Sequence, residues 1–555
     1  MQGGKAVVGN VVSCPSCRSN DLRRNTRLST AGILAAIWML SWISFFIADV
    51  SLAEHAASSV LVDALEMLSV FLLPPLVLGA TITAVFGRYR CRSCGHRWRP
   101  VSPLHLAMKG LAWAAGVPIL LIVPFVAVIF GINATDEPLT EAGRKALVMP
   151  PVPPAMPDDA YEDLLALQSV AFDPRLNRVC SPAEGSCLKY AADHPDIVRL
   201  NEQEDAFAVG YRRMRARAMF QDRREADAVA TDRVLSYTPL TWGQQRALLR
   251  AASLANRGKL AAAIAELEAE NAFHRRVAAG SRRLVTKMIA LVMLTRDTLF
   301  ASELALLHGD HIPSLLPRLK AIARPLSGAE SGMGKVIEFE RAQEAILMQS
   351  REVARNVLHN VYHSPAEDSS AHGVVHALGT IGHGTLFALA PYLYRPQQSI
   401  NRHAAQTALL RPLVTLSAAD FVSAAIAAEA ESDALAPLNL TNLLVNPVGW
   451  FVGADIRKWT PYIGRVHAAQ ALHSLVALQI ALREAGMTRM KAIERAAGGA
   501  VFHAHPDPFF GKPMRFDPGT RTVGLDIPDH FMSAGELQSL RKRYGRVAIE
   551  LFAED

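Results

Sequence analysis

The chain has 555 residues, of which 50% are hydrophobic and 7% aromatic, and its formal net charge at pH 7 is +7. This hydrophobic fraction is high for a purely soluble protein and low for a polytopic transporter. The composition therefore favours a few membrane spans joined to a long soluble part. The excess of positive charge has two readings, because it can attract nucleic acid or anionic lipid and can also orient a membrane protein.

Three apolar runs in the first quarter of the chain have the length of transmembrane helices. They cover residues 31–50, 66–86 and 107–132, and about 20 apolar residues suffice to cross the hydrocarbon core as a helix. Pro74 and Pro75 interrupt the second run, but a membrane helix keeps such a kink when its neighbours satisfy the freed carbonyls. The sequence therefore predicts three transmembrane helices.

The charges of the loops predict an orientation for these helices. Basic residues crowd the N-terminal head and the loop between the second and third runs, whereas Asp49, Glu54 and Asp63 flank or occupy the first loop, which has no Lys or Arg. The positive-inside rule then places the N-terminus in the cytoplasm and the chain beyond residue 132 outside. We expect a bacterial inner-membrane protein with a periplasmic C-terminal domain.

Two CxxC motifs predict a metal site. Cys14 and Cys17 form the first motif, and Cys91 and Cys94 form the second. Four thiolates can hold a tetrahedral Zn²⁺ at about 2.3 Å, and each CxxC turn supplies two of them. The pairs are roughly seventy residues apart, whereas a zinc ribbon usually separates them by about 15–20. The predicted membrane hairpin would return both pairs to the cytoplasm and so rejoin a split ribbon holding structural Zn²⁺.

This ribbon would comprise residues 1–30 and 87–106. Alternatives for the four cysteines are two separate redox motifs, which lack a thioredoxin-like context, an iron–sulfur site, or a site in which His96 replaces one thiolate. The basic residues around the motifs are compatible with anionic lipid headgroups of a bilayer. Nucleic acid is not expected as a partner, since topology already accounts for the same charges.

The remainder of the chain is expected to be mainly α-helical. Residues 133–160 are proline-rich and predict an extended linker; residues 161–500 show helical periodicity; and residues 501–555 are rich in turn formers. In this last part the pattern predicts a β-hairpin with a tight turn at Asp517–Thr520, followed by a helix and a short strand.

Cys180 and Cys187 stand apart from the CxxC motifs. In an oxidising periplasm this pair would close a small loop as a disulfide. A catalytic thiol is the weaker reading, because two cysteines are available to pair.

Catalytic signatures are absent or incomplete. The Gly334–Lys335 pair lacks the glycine and the Ser or Thr of a P-loop, since Ala329 and Val336 occupy those positions. Histidines at helical i, i+4 spacing could bind a metal and support hydrolysis, although ordinary packing histidines are the simpler reading. One such segment contains His359, His363, His372, His376 and His383, with Glu367 and Asp368 between them. His503 and His505 are two further candidates near the C-terminus.

Several stretches carry a family resemblance: YEDLLALQSV, CSPAEGSC, GYRRMRARAMF, FHRRVAAGSRRLVTKMIA, PYLYRPQQSINRHA and NPVGWFVGAD. Together they resemble uncharacterised proteobacterial inner-membrane proteins with a large periplasmic helical domain. The resemblance covers most of residues 160–520 and implies an architecture without an activity.

The sequence thus predicts a membrane-anchored envelope protein that binds or scaffolds a protein partner, stabilised by a structural zinc ribbon. No small-molecule substrate is identified. The alternative function is a periplasmic hydrolase, with or without a bound metal ion, that uses the segment from His359 to His383.

Overall fold

The computed structural model describes residues 16–18, 22–24, 89–98 and 127–551. The last range has gaps at 178–179, 183–184, 224–235, 309–312, 352–389, 436–444, 447, 450–455, 488, 498, 529–534 and 545. The chain divides into two compact units, Met1–Gly131 and Ile132–Asp555, and each is described by itself.

The first unit contains an antiparallel sheet that joins two distant segments of the chain. Its strands are β1 (Leu22–Arg24), β2 (Tyr89–Cys91) and β3 (Arg97–Trp98), in the order β1-β2-β3. Leu22 lies opposite Cys91, and Tyr89 lies opposite Trp98. The two halves of the predicted ribbon therefore pair with each other despite their separation in sequence.

The predicted inner-membrane localisation is wrong on the evidence of the helices that the structure describes, because none combines the length and the apolarity needed to cross a bilayer. The longest described helices have 25 residues each, but ionisable side chains interrupt them; one carries Lys287, Asp297 and Glu303. Of the three predicted spans, 31–50 and 66–86 lie outside the described residues, and only the end of 107–132 is included, in a helix over residues 127–133.

The second unit is mainly helical, as expected. Its described α-helices are α1 (Glu141–Ala146), α2 (Ala160–Leu167), α3 (Cys187–Asp193), α4 (Pro195–Glu202), α5 (Ala206–Ala216), α6 (Thr238–Asn256), α7 (Leu260–Gly280), α8 (Leu284–His308), α9 (Leu316–Ile322), α10 (Gly328–Ser331), α11 (Gly334–Met348), α12 (Pro396–Leu413), α13 (Ala418–Leu435), α14 (Thr460–Glu484), α15 (Met490–Ala496), α16 (Ala500–Ala504) and α17 (Gly535–Tyr544).

The core of this unit is a chain of packed long helices. Helix α6 packs on α7, α7 on α8, and α8 on α14. Phe273 of α7, Phe300 of α8 and Leu472 of α14 are fully buried. The apolar run that includes Leu284 belongs to α8 and packs in the core, because apolar helical faces are removed from water by packing on each other.

Helix α7 also carries a buried ionisable network. Glu270 accepts hydrogen bonds from Tyr211 (2.8 Å) and Arg215 (2.5 Å). One turn further along α7, His274 Nδ1 lies 2.7 Å from Asp297 Oδ2. Because an unpaired buried charge is costly, these contacts fix how α5, α7 and α8 pack together.

The proline-rich segment predicted as a linker lies against the helical unit. Thr140 caps α1, and its backbone N–H donates to Asn401 Oδ1 of α12 at 2.8 Å. Further along, the Pro150 carbonyl accepts a hydrogen bond of 2.9 Å from Arg282. The described part of this segment is therefore held by polar contacts to helices from other parts of the unit.

The predicted C-terminal β-hairpin is confirmed. Strand β4 (Arg515–Asp517) pairs antiparallel with β5 (Thr522–Leu525), and β6 (Val547–Glu550) adds to the other side of β5. Asp517 accepts from the backbone N–H of Gly519 at 2.9 Å, which stabilises the predicted turn. Gln479 of α14 donates to the Glu550 carbonyl at 2.7 Å, so this sheet is fastened to the helical core.

Gly243 provides a test of the packing between α5 and α6. A Cβ at this position would lie 1.9 Å from Cε2 of Tyr211, whose hydroxyl is held by Glu270. We predict that Gly243→Ala lowers the free energy of unfolding by about 1–3 kcal/mol, because the clash forces a buried ring to move. Chemical denaturation of the full chain measures this change.

Gly334→Ala is the matched control. Gly334 begins α11, and a Cβ there meets no atom within 4 Å. This substitution should leave stability unchanged or raise it by up to about 1 kcal/mol. Equal effects of the two substitutions would contradict the proposed contact between Gly243 and Tyr211.

Candidate metal centre

Three of the four predicted zinc-ligating cysteines come together in the first unit. The Sγ atoms of Cys17, Cys91 and Cys94 all lie within 4.8 Å of one another, and those of Cys17 and Cys91 are 3.4 Å apart. Cys14 lies outside the described residues. The cluster could hold a metal ion, and it is the only such group of His, Cys, Asp or Glu side chains found among the described residues.

The backbone explains how the second motif forms a tight turn. The N–H of Cys91 donates to the carbonyl of His96, and the carbonyl of Cys91 accepts from the N–H of Gly95, both at 2.9 Å. Gly95 has φ +74°, in the left-handed region where glycine is favoured. The turn thus brings Cys94 back toward Cys91 at the end of β2.

The first motif shares a feature of this conformation. Arg18 directly follows Cys17, as Gly95 follows Cys94, and Arg18 has φ +57°. Left-handed backbone is uncommon for a residue other than glycine, asparagine or aspartate. In both motifs the residue after the second cysteine therefore has left-handed backbone, and this residue is glycine in only one of them.

The electrostatics of Cys91 favour its thiolate. Burial opposes the charged form, but hydrogen bonds from the backbone of Cys94 and Ser93 and from the thiols of Cys17 and Cys94 outweigh it and lower the pKa of Cys91 to about 6. The thiolate is the form of cysteine that binds metals. Cys91 is buried, whereas Cys17 and Cys94 are exposed.

The donor set fits zinc. Four thiolates at about 2.3 Å in a tetrahedron place neighbouring sulfurs about 3.8 Å apart, and the observed separations of up to 4.8 Å lie around that value. Soft thiolate ligands select zinc or iron–sulfur clusters over magnesium or calcium.

The other predicted metal ligands are not brought together in the described structure. The segment from His359 to His383, with Glu367 and Asp368, lies outside the described residues. Of the second pair, His503 Nδ1 lies 3.0 Å from the carbonyl of Gly499. Burial lowers the pKa of His505. His503 is exposed and His505 is half-buried.

The predicted disulfide between Cys180 and Cys187 is present, with a Cα–Cα distance of 5.3 Å. Cys187 is the first residue of α3, and the Glu303 carboxylate of α8 accepts from the backbone N–H groups of Cys187 (3.2 Å) and Leu188 (3.1 Å). A carboxylate at a helix N-terminus satisfies donors that the helix itself leaves unpaired. The disulfide loop is therefore anchored to α8.

The buried network on α7 was missed by the sequence analysis. Burial alone would lower the pKa of His274, but the carboxylates of Asp297 and Glu270 raise it. Burial raises the pKa of Glu270. The only sequence signal is the i, i+4 spacing of Glu270 and His274 on one helix. Since these side chains are fully buried, the network acts on packing.

No family model, curated protein or solved structure matches the chain.

Two further buried histidines make stability depend on pH. His403 Nε2 lies 2.8 Å from the carbonyl of Arg341, to which the neutral ring donates, and His473 lies beside the hydroxyl of Thr298. Burial lowers the pKa of each to about 3. In the unfolded chain a histidine titrates near 6.5.

We predict that the free energy of unfolding falls as pH drops below about 6.5. Below that pH both histidines are protonated in the unfolded chain, but they stay neutral in the folded chain until pH is near 3. Each of the two therefore lowers the free energy of unfolding by on the order of 2 kcal/mol at pH 5. Chemical denaturation at pH 7, 6 and 5 measures the loss. His473→Gln should reduce its slope, and an unchanged slope in this variant would contradict the assignment.

Proposed function

We propose that this chain is a zinc-binding protein in which a structural four-thiolate site joins two distant segments, and that its helical unit is a binding or scaffolding module for a protein partner. The ligands are Cys14, Cys17, Cys91 and Cys94. The observation that carries the metal assignment is the convergence of three thiol groups within 4.8 Å from both CxxC motifs.

Short strands support a structural role for the metal. β1 and β2 have three residues each and β3 has two. A sheet of this size buries too little apolar surface to be stable alone. Zinc binding then supplies folding free energy to the ribbon, as in other small metal-stabilised domains.

A full set of four protein ligands also favours structure over catalysis. Catalytic zinc sites keep one position open for water or substrate, whereas structural sites are closed by four side chains. With Cys14 as the fourth ligand, the thiolates would fill the tetrahedron. The role of these residues is to hold β1 against β2.

The binding role of the helical unit rests on its architecture. Long helices such as α8 and α14 form a continuous buried core, and rigid helical surfaces suit the presentation of a binding face. The disulfide at the start of α3 and the hydrogen bond from Thr140 to α12 hold further segments of the helical unit in place.

Metal analysis tests the zinc site. We predict about one zinc per wild-type chain and little or none in a Cys91→Ser, Cys94→Ser double variant, because the loss of two thiolates removes half of the ligands. Elemental analysis of the purified full chain measures this ratio. Cys14→Ser should weaken zinc binding, which tests the fourth ligand separately.

Cys180→Ser with Cys187→Ser is the matched control, since it makes the same chemical change at the disulfide pair. This variant should retain zinc at the wild-type ratio. Equal zinc in the Cys91, Cys94 variant and the wild type would disprove the site. Tetrahedral thiolate coordination can be checked by the visible absorption of the Co²⁺-substituted chain.

Crosslinking in native cells tests the scaffolding role. A specific protein partner should be recovered with the wild-type chain, and the crosslinks should map to residues of the helical unit. Recovery of no partner, or crosslinks confined to the ribbon residues, would count against a binding role for the helical unit.

A further inference from the structure

A cleft of about 870 Å³ opens on the surface of the helical unit. We name it the cationic cleft and define it by Arg276, Arg282, Lys335 and Arg411, together with residues 148–151, Pro153 and residues 218–221, which line it. Its volume lies in the range of small-molecule binding sites, which is about 300–1,000 Å³.

The four basic side chains of this cleft lack ion-pair partners in the part of the chain that the structure describes. Other arginines of the unit are paired: Arg215 lies 2.8 Å from Glu266, and Arg246 lies 2.6 Å from Asp205. Lys145, a fifth cation lining the cleft, pairs with Glu141 at 2.6 Å. The cleft therefore groups four cations that form no ion pair with a described residue.

The cleft has a net positive charge. Among its lining residues Glu338 is the one acid, and it forms no ion pair with a described residue. Four unpaired cations and one carboxylate give 4 − 1 = +3. A concave surface with charge of one sign raises the local concentration of oppositely charged ligands.

Arg282 is the most buried of these cations, and the carboxylates of Asp222 and Glu338 only partly offset the effect of burial on its pKa. It is 8% exposed, and its Nη1 has no hydrogen-bond partner among the described residues. Its Nη2 donates to the Pro150 carbonyl, and its guanidinium lies 4.9 Å from the centroid of the Phe339 ring. Burial lowers the pKa of Arg282 and of Arg276. Both cations would be stabilised by an anion in the cleft.

The cleft also has an apolar wall. Met149, Pro150 and Pro151 line one part of it, and Met219 and Phe220 line another. The second of these segments crosses the end of α7, where a Cβ on Gly280 would overlap the carbonyl oxygen of Phe220. A ligand in this cleft would meet both positive charge and apolar surface.

We propose that the cationic cleft binds an amphiphilic organic phosphate, with the phosphate near the basic side chains and the apolar body against the Met and Pro residues. A phosphate monoester carries about −1.5 to −2 charges at pH 7, which matches a net charge of +3 better than a monoanionic carboxylate does. Arginine is well suited to phosphate because its planar donors can bind two oxygens together.

This inference deepens the proposed binding role of the helical unit by naming a ligand class for it. It is independent of the zinc site, because every residue of the cleft belongs to the second unit. A failure in the experiment below would leave the zinc measurement and the search for a protein partner unaffected.

Calorimetric titration of the full chain tests the proposal with four probes: octyl phosphate, octanoate, octyl glucoside and inorganic phosphate, all below micelle-forming concentrations. Octyl phosphate should bind most tightly. Octanoate and the uncharged glucoside test the charge of the ligand, and inorganic phosphate tests the contribution of the apolar body.

The variant is Lys335→Glu with Arg411→Glu, which reverses two exposed charges of the cleft. It should weaken octyl phosphate binding by about tenfold or more. The matched control is Arg489→Glu with Lys491→Glu, two exposed cations outside the cleft, which should bind as the wild type does. If the cleft variant fails to fold, the wild type still gives a readout, because binding should weaken as ionic strength rises.

Several results would overturn the proposal. These are no binding of octyl phosphate by the wild type, equal binding by the cleft variant and the control, or binding that is independent of salt. Equal affinity for octyl glucoside or octanoate would overturn the phosphate assignment, and equal affinity for inorganic phosphate would overturn the apolar subsite.

Discussion

The compensation of buried charge along helix α7 is the constraint on which the helical unit depends. Glu270 is matched by Arg215 and Tyr211, and His274 by Asp297. Because breaking a buried pair leaves a charge in a medium that cannot solvate it, each pair fixes a neighbouring helix in position and register. Arg275 of α7 is matched by Glu330 in the same way, whereas Arg276 and Arg282, which line the cationic cleft, form no ion pair with a described residue. The cost of leaving a buried charge unpaired therefore bears on both the packing of the core and the chemistry of the cleft.

A different constraint governs the ribbon. Strands β1 and β2 come from segments more than sixty residues apart, and bringing the ends of such a segment together costs conformational entropy. Backbone pairing over three positions offsets only a small part of that entropy cost. Metal–thiolate bonds are strong enough to offset it. The left-handed backbone at Arg18 is consistent with a turn shaped by the cysteine cluster, since arginine has no preference for that region.

Local patterns predicted much of the fold and part of the site. The CxxC spacing identified Cys17, Cys91 and Cys94, and the turn formers around Asp517 identified the C-terminal hairpin, because both depend on residues adjacent in sequence. The network of Glu270 and Asp297 was not predictable, since it joins helices whose packing no local pattern specifies. Hydropathy alone does not separate a membrane span from a core helix, because a protein core removes apolar side chains from water as a bilayer does. The apolar run of α8 packs in the core, whereas the predicted spans 31–50 and 66–86 lie outside the described residues.

The segment predicted as an extended linker, residues 133–160, contains helix α1 (Glu141–Ala146), and its proline-rich part takes part in packing. Prolines keep residues 149–154 free of helix, as expected of a linker. They also leave backbone carbonyls without internal partners, and one of these, on Pro150, accepts the hydrogen bond of the buried Arg282. A segment without regular structure thereby becomes a wall of the cleft and satisfies one donor of its most buried cation. The other terminal nitrogen of that guanidinium, Nη1, has no hydrogen-bond partner among the described residues. An anion in the cleft would accept a hydrogen bond from this nitrogen and stabilise the buried charge.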